Sequence, residues 1–136
     1  MKVSIGNPPG AAAPVARYSQ VARVDLDGGS LLFLAGQVAV DDDGQLVGEG
    51  DIAAQTERTF EIIGGLLAAH GASFSDVLHI RTFLTDISQL PEYGAVRARY
   101  LTGTPPASTT VEVSRLFRPG FLVEIEVTAA VPATRT

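Results

Sequence analysis

The sequence contains no cysteine among its 136 residues. This absence excludes disulfide bonds, thiolate metal sites and a cysteine nucleophile, and it is typical of proteins in a reducing compartment. The sequence also lacks any apolar run of about 20 residues, so no membrane-spanning helix is predicted. Glycines and prolines interrupt positions 6–14, where a signal peptide needs an apolar core. We therefore expect a cytoplasmic protein with no membrane partner.

Positive charge is also scarce. Ten Lys and Arg residues stand against 15 Asp and Glu, the net charge is −5, and the basic residues are scattered along the chain. A protein that binds nucleic acid normally neutralises phosphates with a basic stripe, so we expect no nucleic-acid partner. Charged residues make up only 18% of the chain and hydrophobic residues 46%. This balance predicts that some apolar surface is covered by other copies of the chain.

Several common catalytic arrangements are missing. His70 and His79 are the two histidines, and neither has a second ligand at metal-binding spacing. The segment 48–50 lacks the lysine and the glycine pattern of a phosphate-binding loop. No nucleophile elbow surrounds a serine. We therefore expect no metal and no cofactor.

A regular succession of strand and helix patterns is present. The length suits one domain over residues 1–136, beginning with an extended arm rich in Pro, Gly and Ala over residues 1–16. Apolar alternation and capping residues predict two helices and five strands. The helices are expected at 51–70 and 88–101, and the strands at 21–26, 31–38, 77–85, 109–115 and 121–131. We expect strand 31–38 to be buried on both faces, and Gly64-Gly65 to let the first helix pack closely on the sheet.

The two faces of the predicted sheet differ in character. In the third strand, the even positions form the apolar face that should meet the helices, and they are Leu78, Ile80, Thr82 and Leu84. The opposite face should carry Arg81, Glu112, Glu124 and Glu126 beside the apolar Val77, Phe83 and Leu122. An α+β domain with both helices on one face would leave this second face uncovered, so we expect partner subunits to pack on it.

Short motifs spread along the chain resemble the RidA/YjgF family. They are Tyr18-Ser19-Gln20, Ala35-Gly36-Gln37, Gly50-Asp51-Ile52 with Gln55-Thr56, Phe83-Leu84-Thr85-Asp86, Pro106-Ala107 and Val123-Glu124-Ile125-Glu126-Val127. No single motif is strongly specific, but together they cover nearly the whole chain in family order. The resemblance implies a chorismate-mutase-like fold with a mixed β-sheet, and a homotrimer with three small-molecule clefts between neighbouring subunits. It also implies, for some members, hydrolysis of reactive enamines and imines such as 2-aminoacrylate to keto acids and ammonia.

The chain departs from the family pattern in its pocket. Deaminating members hold the substrate carboxylate with the arginine of a Pro-Ala-Arg-(Ser/Thr) motif, and Ser108 stands at that place here. A serine supplies neither the charge nor the fork of a guanidinium group. Ala35 replaces a family serine, and Gly94 replaces an asparagine of the second helix. The resemblance places the following residues in the substrate-binding site: Tyr18, Ala35, Gly36, Gly94, Ser108 and Thr109.

The resemblance also makes Glu126 the candidate catalytic residue, which would position or activate water for attack on the C=N carbon. Glu124 lies two residues earlier on the same strand face. Two such carboxylates raise each other's pKa unless a cation such as Arg81 intervenes. Alternatively, these three residues and Glu112 form a polar network between subunits.

Other pocket residues have two interpretations as well. Tyr18 either closes the cleft with its hydroxyl group or packs the N-terminal arm onto the sheet. Ser108 either donates a hydrogen bond to a ligand or simply starts a strand. Arg97 and Arg99 are expected on a solvated helix face, unless that face lines the cleft and supplies the missing cation.

Two functions remain open. The first is an enamine or imine deaminase whose substrate is non-standard, because Ser108 replaces the carboxylate-binding arginine. The alternative is a non-catalytic trimer that binds a small molecule or a protein partner, since the loss of polar pocket groups favours a more apolar ligand. The RNA cleavage associated with some family members fits poorly with the net charge of −5.

Overall fold

The computed structural model describes residues 1–11 and 13–133, which form six strands and two α-helices. The strands are β1 (Lys2–Gly6), β2 (Val21–Leu26), β3 (Gly29–Leu34), β4 (Val77–Leu84), β5 (Ala107–Glu112) and β6 (Val123–Pro132). The helices are α1 (Ile52–Ala69) and α2 (Leu90–Tyr100). Single 3₁₀ turns at Phe74–Asp76 and Ile87–Gln89 precede β4 and α2.

The strands form one mixed sheet in the order β1-β2-β3-β6-β4-β5. Only the β4–β5 pair is parallel, as expected for two strands joined by a helical crossover through α2. The core lies between one face of this sheet and the helices, where Phe60, Ile63 and Leu67 of α1 pack with Ile80 and Ile125. The predicted α+β fold, with both helices on one face of a mixed sheet, is confirmed.

Helix α1 begins and ends where the sequence predicts. The Asp51 side chain accepts a hydrogen bond from the Ala54 N–H at 3.0 Å, and Gly71 adopts a φ of +74° just after the helix. The predicted role of the glycine pair is wrong. A β-carbon on Gly64 would meet the ring of Phe74 at 3.2 Å, whereas one on Gly65 would have no neighbour within 4 Å. Gly64 therefore accommodates the 3₁₀ turn, and neither glycine serves packing against the sheet.

Three strand predictions need correction. The arm contains the strand β1, whose residues are mostly exposed and carry no burial pattern. Strand β3 ends at Leu34, and within the single chain one of its faces is not covered, since Phe33 remains 45% exposed. A bulge interrupts β4 between Val77 and His79, so Val77 is buried and Leu78 is exposed, the reverse of the predicted arrangement.

The buried side chain of Gln55 links α1 to the start of β6. Its Nε2 group donates hydrogen bonds to the carbonyl oxygens of Gly48 at 3.1 Å and Gly120 at 2.9 Å. Its Oε1 atom accepts a hydrogen bond from the Leu122 N–H at 2.8 Å. These three contacts fix the point at which the chain enters the strand that carries Glu124 and Glu126.

Candidate functional site

A backbone irregularity places Gly36 beside β6. Phe33 of β3 pairs with Thr128 of β6, and Gln37 pairs with Ile125. Between these two pairs the segment from β3 advances four residues while β6 advances three. Gln37 is held there by backbone hydrogen bonds to Ile125 in both directions, at 2.8 and 3.0 Å. Its buried amide also donates to the Gln20 side chain at 2.7 Å and to the Ala35 carbonyl at 2.9 Å. The extra residue is the bulge that contains Gly36.

Glu124 occupies the space that a side chain at position 36 would take. A β-carbon on Gly36 would lie 2.5 Å from Glu124 Oε2, so only glycine allows this approach. The Glu124 side chain is half-buried and faces Phe83 across the ladder to β4. Burial raises the pKa of Glu124 above its ordinary value, and the negative charge of Glu126 raises that pKa further.

Glu126, the predicted catalytic residue, forms an ion pair with Arg81. The Arg81 Nη1 group donates to Glu126 Oε1 at 3.1 Å, and the two residues are direct partners across β4 and β6. The expected cation therefore lies beside the two carboxylates and contacts Glu126. We refer to Gly36, Arg81, Glu124 and Glu126 as the carboxylate cluster.

A second group of predicted site residues lies between α2 and β5. Here an open groove of about 350 Å³ is lined by Tyr93, Gly94, Arg97, Ala98, Pro106 and Thr110, among others. Arg97 Nη2 donates a hydrogen bond to Ser108 Oγ at 3.1 Å. Gly94 has no atom within 4 Å of a would-be β-carbon, so the groove is unobstructed at that point. This feature is the α2–β5 groove.

The carboxylate cluster and the α2–β5 groove belong to opposite faces of the sheet. Ser108 pairs with Ile80, whose side chain is fully buried under the helices, and Ser108 itself contacts α2. Glu126 pairs with Arg81 on the other face. Since side chains alternate along a strand, a ligand bound to one subunit cannot touch both Ser108 and Glu126 without passing the edge of the sheet.

The predicted polar face needs one correction. Glu112 pairs with Leu84, which is buried on the helix side, and its carboxylate accepts a hydrogen bond from the Ile87 N–H at 2.9 Å. Glu112 therefore caps the approach to α2 and does not join the carboxylate cluster. The register of the parallel β4–β5 pair places Glu112 on the helix side of the sheet. The sequence of either strand alone does not reveal the register between distant segments.

The remaining predicted residues fall near one or other group. Tyr18 is 39% exposed and lines a small cleft with Val15 and Gly36 at the edge of the carboxylate cluster. Ala35 donates its N–H to the Gln20 carbonyl and starts the bulge. Thr109 is the β5 partner of Arg81, so it extends the row formed by Glu126 and Arg81 across the sheet.

Sequence reasoning did not place Tyr93, Thr110 or the Gln20–Gln37 pair in the site, and it assigned Arg97 by default to a solvated face. The sequence could have placed Arg97 in the groove, because residues three apart lie on the same face of a helix and Gly94 was already a candidate site residue. Arg97 is in fact half-buried, and its Nη1 group also donates to the Tyr93 hydroxyl at 3.2 Å. Arg99 forms an ion pair with Glu57 at 2.7 Å and lies outside the groove lining.

Two further observations concern metal binding and membrane insertion. Within residues 1–11 and 13–133, no three His, Asp or Glu side chains gather in a way that could hold a metal ion. Neither helix in this part of the chain is long and apolar enough to cross a membrane.

Comparison with known proteins gives a consistent result. The sequence profile of the endoribonuclease L-PSP family matches residues 9–131. Protein DfrA of Myxococcus xanthus is 43% identical over 112 residues, which is 82% of this chain and 83% of that protein. A RutC family protein of Pyrococcus abyssi is 35% identical over 119 residues, 88% of this chain and 90% of its own.

A solved structure shows the same architecture. YyfA of Yersinia pestis, a protein of unknown function in the conserved Rid family, has a TM-score of 0.83 and 33% sequence identity, with 96% of this chain and 100% of that chain covered. The mixed sheet with two helices on one face and the ordered motifs along β3, α1 and β6 define a Rid-type domain. The chain belongs to the RidA/YjgF family, also described as endoribonuclease L-PSP.

Proposed function

We propose that this protein is a homotrimeric hydrolase that converts reactive enamines or imines to carbonyl compounds and ammonia. The observation that carries this proposal is the Glu124 carboxyl group, half-buried against Gly36 with a raised pKa. A carboxyl group whose pKa moves toward neutrality exchanges protons more effectively in general acid–base catalysis. Family membership supports the same class of reaction.

The separation of the two groups of site residues supports a cleft between subunits. Each group lies on its own face of the sheet, so a complete site requires the carboxylate cluster of one subunit and the α2–β5 groove of its neighbour. Apolar side chains accompany the carboxylates on their face. Phe33 and Val111 are 45% and 41% exposed there, and Val111 pairs with Phe83. A neighbouring subunit would bury this apolar surface.

The reaction requires one water molecule and two proton movements. Water attacks the C=N carbon while the carboxylate accepts one of its protons. The carboxyl group passes this proton to the nitrogen, and the hydroxyl group of the resulting carbinolamine then gives up its proton to the nitrogen, so that the C–N bond breaks and ammonia leaves as the C=O bond forms. An enamine enters the same sequence after one proton moves from its nitrogen to its carbon. Glu124 is placed for this exchange because no cation within the described residues holds it as an ion pair, whereas Glu126 is paired with Arg81.

Glu126 keeps a role in this proposal. Its charge contributes to the raised pKa of Glu124, and its ion pair fixes Arg81 beside the reacting groups. The prediction that Glu126 itself handles the water stays open, and substitution separates the two assignments.

The direct experiment measures the decay of 2-iminopropionate, generated by an amino-acid oxidase, in the presence and absence of the protein. We expect acceleration by the wild type and a loss of about 100-fold in Glu124→Gln, the size typical of a lost general acid–base. Glu126→Gln should lose less, and Glu112→Gln, whose carboxylate lies on the other face, should match the wild type. The proposal fails if the wild type accelerates the decay of neither this imine nor an imine without a carboxylate.

A specific observation also favours the second candidate function, a non-catalytic ligand-binding trimer. Positions 35 and 94 carry only small side chains, and the α2–β5 groove is open. If small molecules raise the melting temperature while no imine is hydrolysed, binding without catalysis is the better account.

A further inference from the structure

The α2–β5 groove contains a positive charge without a negative partner. Arg97 Nη1 and Nη2 donate hydrogen bonds to the hydroxyl oxygens of Tyr93 and Ser108, at 3.2 and 3.1 Å. Both acceptors are neutral. No carboxylate of residues 1–11 or 13–133 lies within ion-pair distance of this guanidinium group.

The neighbouring arginine of the same helix behaves differently. Arg99 is paired with Glu57 at 2.7 Å and lies on the exposed side of α2. Arg97 is half-buried and lines the groove, and its guanidinium carbon lies 5.9 Å from the centre of the Tyr93 ring. The hydroxyl of Tyr93 also bonds Thr82, and both residues are buried, so one contact of Arg97 is tied to the core.

This geometry leaves hydrogen-bonding capacity for an anion. A guanidinium group has five N–H donors, and only two of them are used within the described chain. Its planar fork matches a carboxylate in two parallel hydrogen bonds. The hydrogen bonds to Ser108 and Tyr93 hold the guanidinium group of Arg97 in the lining of the groove, which removes part of the ordering cost of binding.

We propose that Arg97 is the carboxylate-binding residue of this protein. It occupies the groove from α2 and supplies the charge that Ser108 of β5 lacks. The ligand class is a small 2-imino or 2-oxo acid, whose carboxylate contacts Arg97 while its C=N or C=O carbon reaches the carboxylate cluster of the adjacent subunit. The assignment of the imine carbon rests on the proposed function, but the binding of the carboxylate does not.

This proposal changes the expected substrate. The absence of an arginine at position 108 by itself predicts poor use of carboxylate-bearing imines. With Arg97 in the groove, such imines bind, and Ser108 becomes a positioning residue that holds the guanidinium group through its hydroxyl oxygen.

The test measures the binding of pyruvate, the carbonyl product of 2-iminopropionate hydrolysis, by titration calorimetry. The proteins are the wild type, Arg97→Ala, Arg97→Lys and, as the matched control on the same helix, Arg99→Ala. We expect Arg97→Ala to weaken binding about tenfold or more, since hydrogen bonds to charged groups are the strong ones. Arg97→Lys should recover part of the affinity because it restores the charge without the fork. Arg99→Ala should bind as the wild type does.

A parallel assay compares hydrolysis of 2-iminopropionate with hydrolysis of the uncharged imine that a flavin amine oxidase forms from benzylamine. Arg97→Ala should raise KM for 2-iminopropionate, which carries a carboxylate, and leave KM for the imine formed from benzylamine nearly unchanged. Circular dichroism and the melting temperature establish that each variant is folded, and Arg97→Gln provides a second, more conservative loss of charge.

The outcomes separate this inference from the proposed function. Pyruvate binding that is unchanged in both Arg97→Ala and Arg97→Gln, or absent in the wild type, overturns the inference even if imines are hydrolysed. Arg97-dependent pyruvate binding without hydrolysis of either imine supports the inference and overturns the proposed function.

Discussion

The carboxyl group of Glu124 lies where a side chain on Gly36 would be. A β-carbon at position 36 would be 2.5 Å from Oε2 and 2.9 Å from the carboxyl carbon of Glu124. The bulge that holds Gly36 in place is fixed by the pairing of Gln37 with Ile125, which directly precedes Glu126. The position of the carboxyl group is therefore set by the backbone of a neighbouring segment as well as by its own strand.

Gly36→Ala should impair activity while leaving the fold intact. The φ of Gly36 is not in the positive region, so alanine fits the backbone and the displaced atoms are the flexible end of the Glu124 side chain. We expect the rate of imine hydrolysis to fall about tenfold or more, because small misplacements of a catalytic group are costly. The change in the free energy of unfolding should stay within about 1 kcal/mol.

Gly65→Ala is the matched control for that variant. A β-carbon at position 65 has no neighbour within 4 Å, and the site is in the middle of α1. This substitution should raise stability by up to about 1 kcal/mol without changing the rate. Equal rates for Gly36→Ala and the wild type would show that the placement of Glu124 does not matter.

Glu124→Gln should change the pH dependence of stability. Since the folded-state pKa of Glu124 is raised above 4.5, its contribution to stability is fully present below pH 4.5 and is lost as pH rises through the folded-state pKa. The glutamine variant carries no such loss. We expect it to melt at a higher temperature than the wild type at pH 7, with the advantage disappearing at pH 4. A difference that is the same at both pH values would argue against the raised pKa.

Gln55→Glu tests how β6 is held in place. The substitution keeps the shape but brings a carboxylate against the carbonyl oxygens of Gly48 and Gly120, to which Nε2 now donates. We expect a loss of about 3 kcal/mol at pH 7, typical of a buried group that loses its hydrogen bonds. The loss should shrink at pH 4, where a protonated carboxyl can donate one bond. Gln45→Glu is the same change in an exposed loop, and it should lower the free energy of unfolding only slightly. Urea denaturation measures both changes.

Tyr93→Phe removes the link between the α2–β5 groove and the core. The Tyr93 hydroxyl bonds Thr82 and accepts from Arg97. Its loss leaves the buried Thr82 hydroxyl without this partner, which should lower the free energy of unfolding by about 1 to 2 kcal/mol. Urea denaturation at fixed protein concentration measures this change, with the exposed Tyr18→Phe as the comparison. An effect no larger than that of Tyr18→Phe would contradict the structural role of this hydroxyl.

Local signals along the chain predict much of the fold. The cap at Asp51 and the glycine at position 71 mark the ends of α1 because both act on neighbouring backbone groups. Features that depend on pairing between distant segments could not be predicted in the same way. The bulge at Val77 reverses two side chains, and the parallel register of β5 moves Glu112 to the helix side.

The candidate site shows the same division. Alternation correctly places Glu124 and Glu126 on one strand face, but it does not distinguish their environments. The bulge at Gly36 and the ion pair with Arg81 create that difference, and both come from other parts of the chain. Arg97 is seven residues beyond Leu90 in α2 and reaches Ser108 only because α2 packs beside β5.

The most direct test of a site shared between subunits is complementation in mixed trimers. Glu124→Gln removes the carboxylate side of the cleft, and Gly94→Leu fills the α2–β5 groove on the other side. The two variants are unfolded together in equal amounts, refolded, and compared with each variant alone, with light scattering used to measure the mass of every sample. The account predicts trimers throughout, little imine hydrolysis by either variant alone, and recovery to about one quarter of the wild-type rate in the mixture, because each hybrid trimer then contains one intact cleft. A mixture no more active than the separate variants, although the wild type is active, would contradict a cleft built from two subunits.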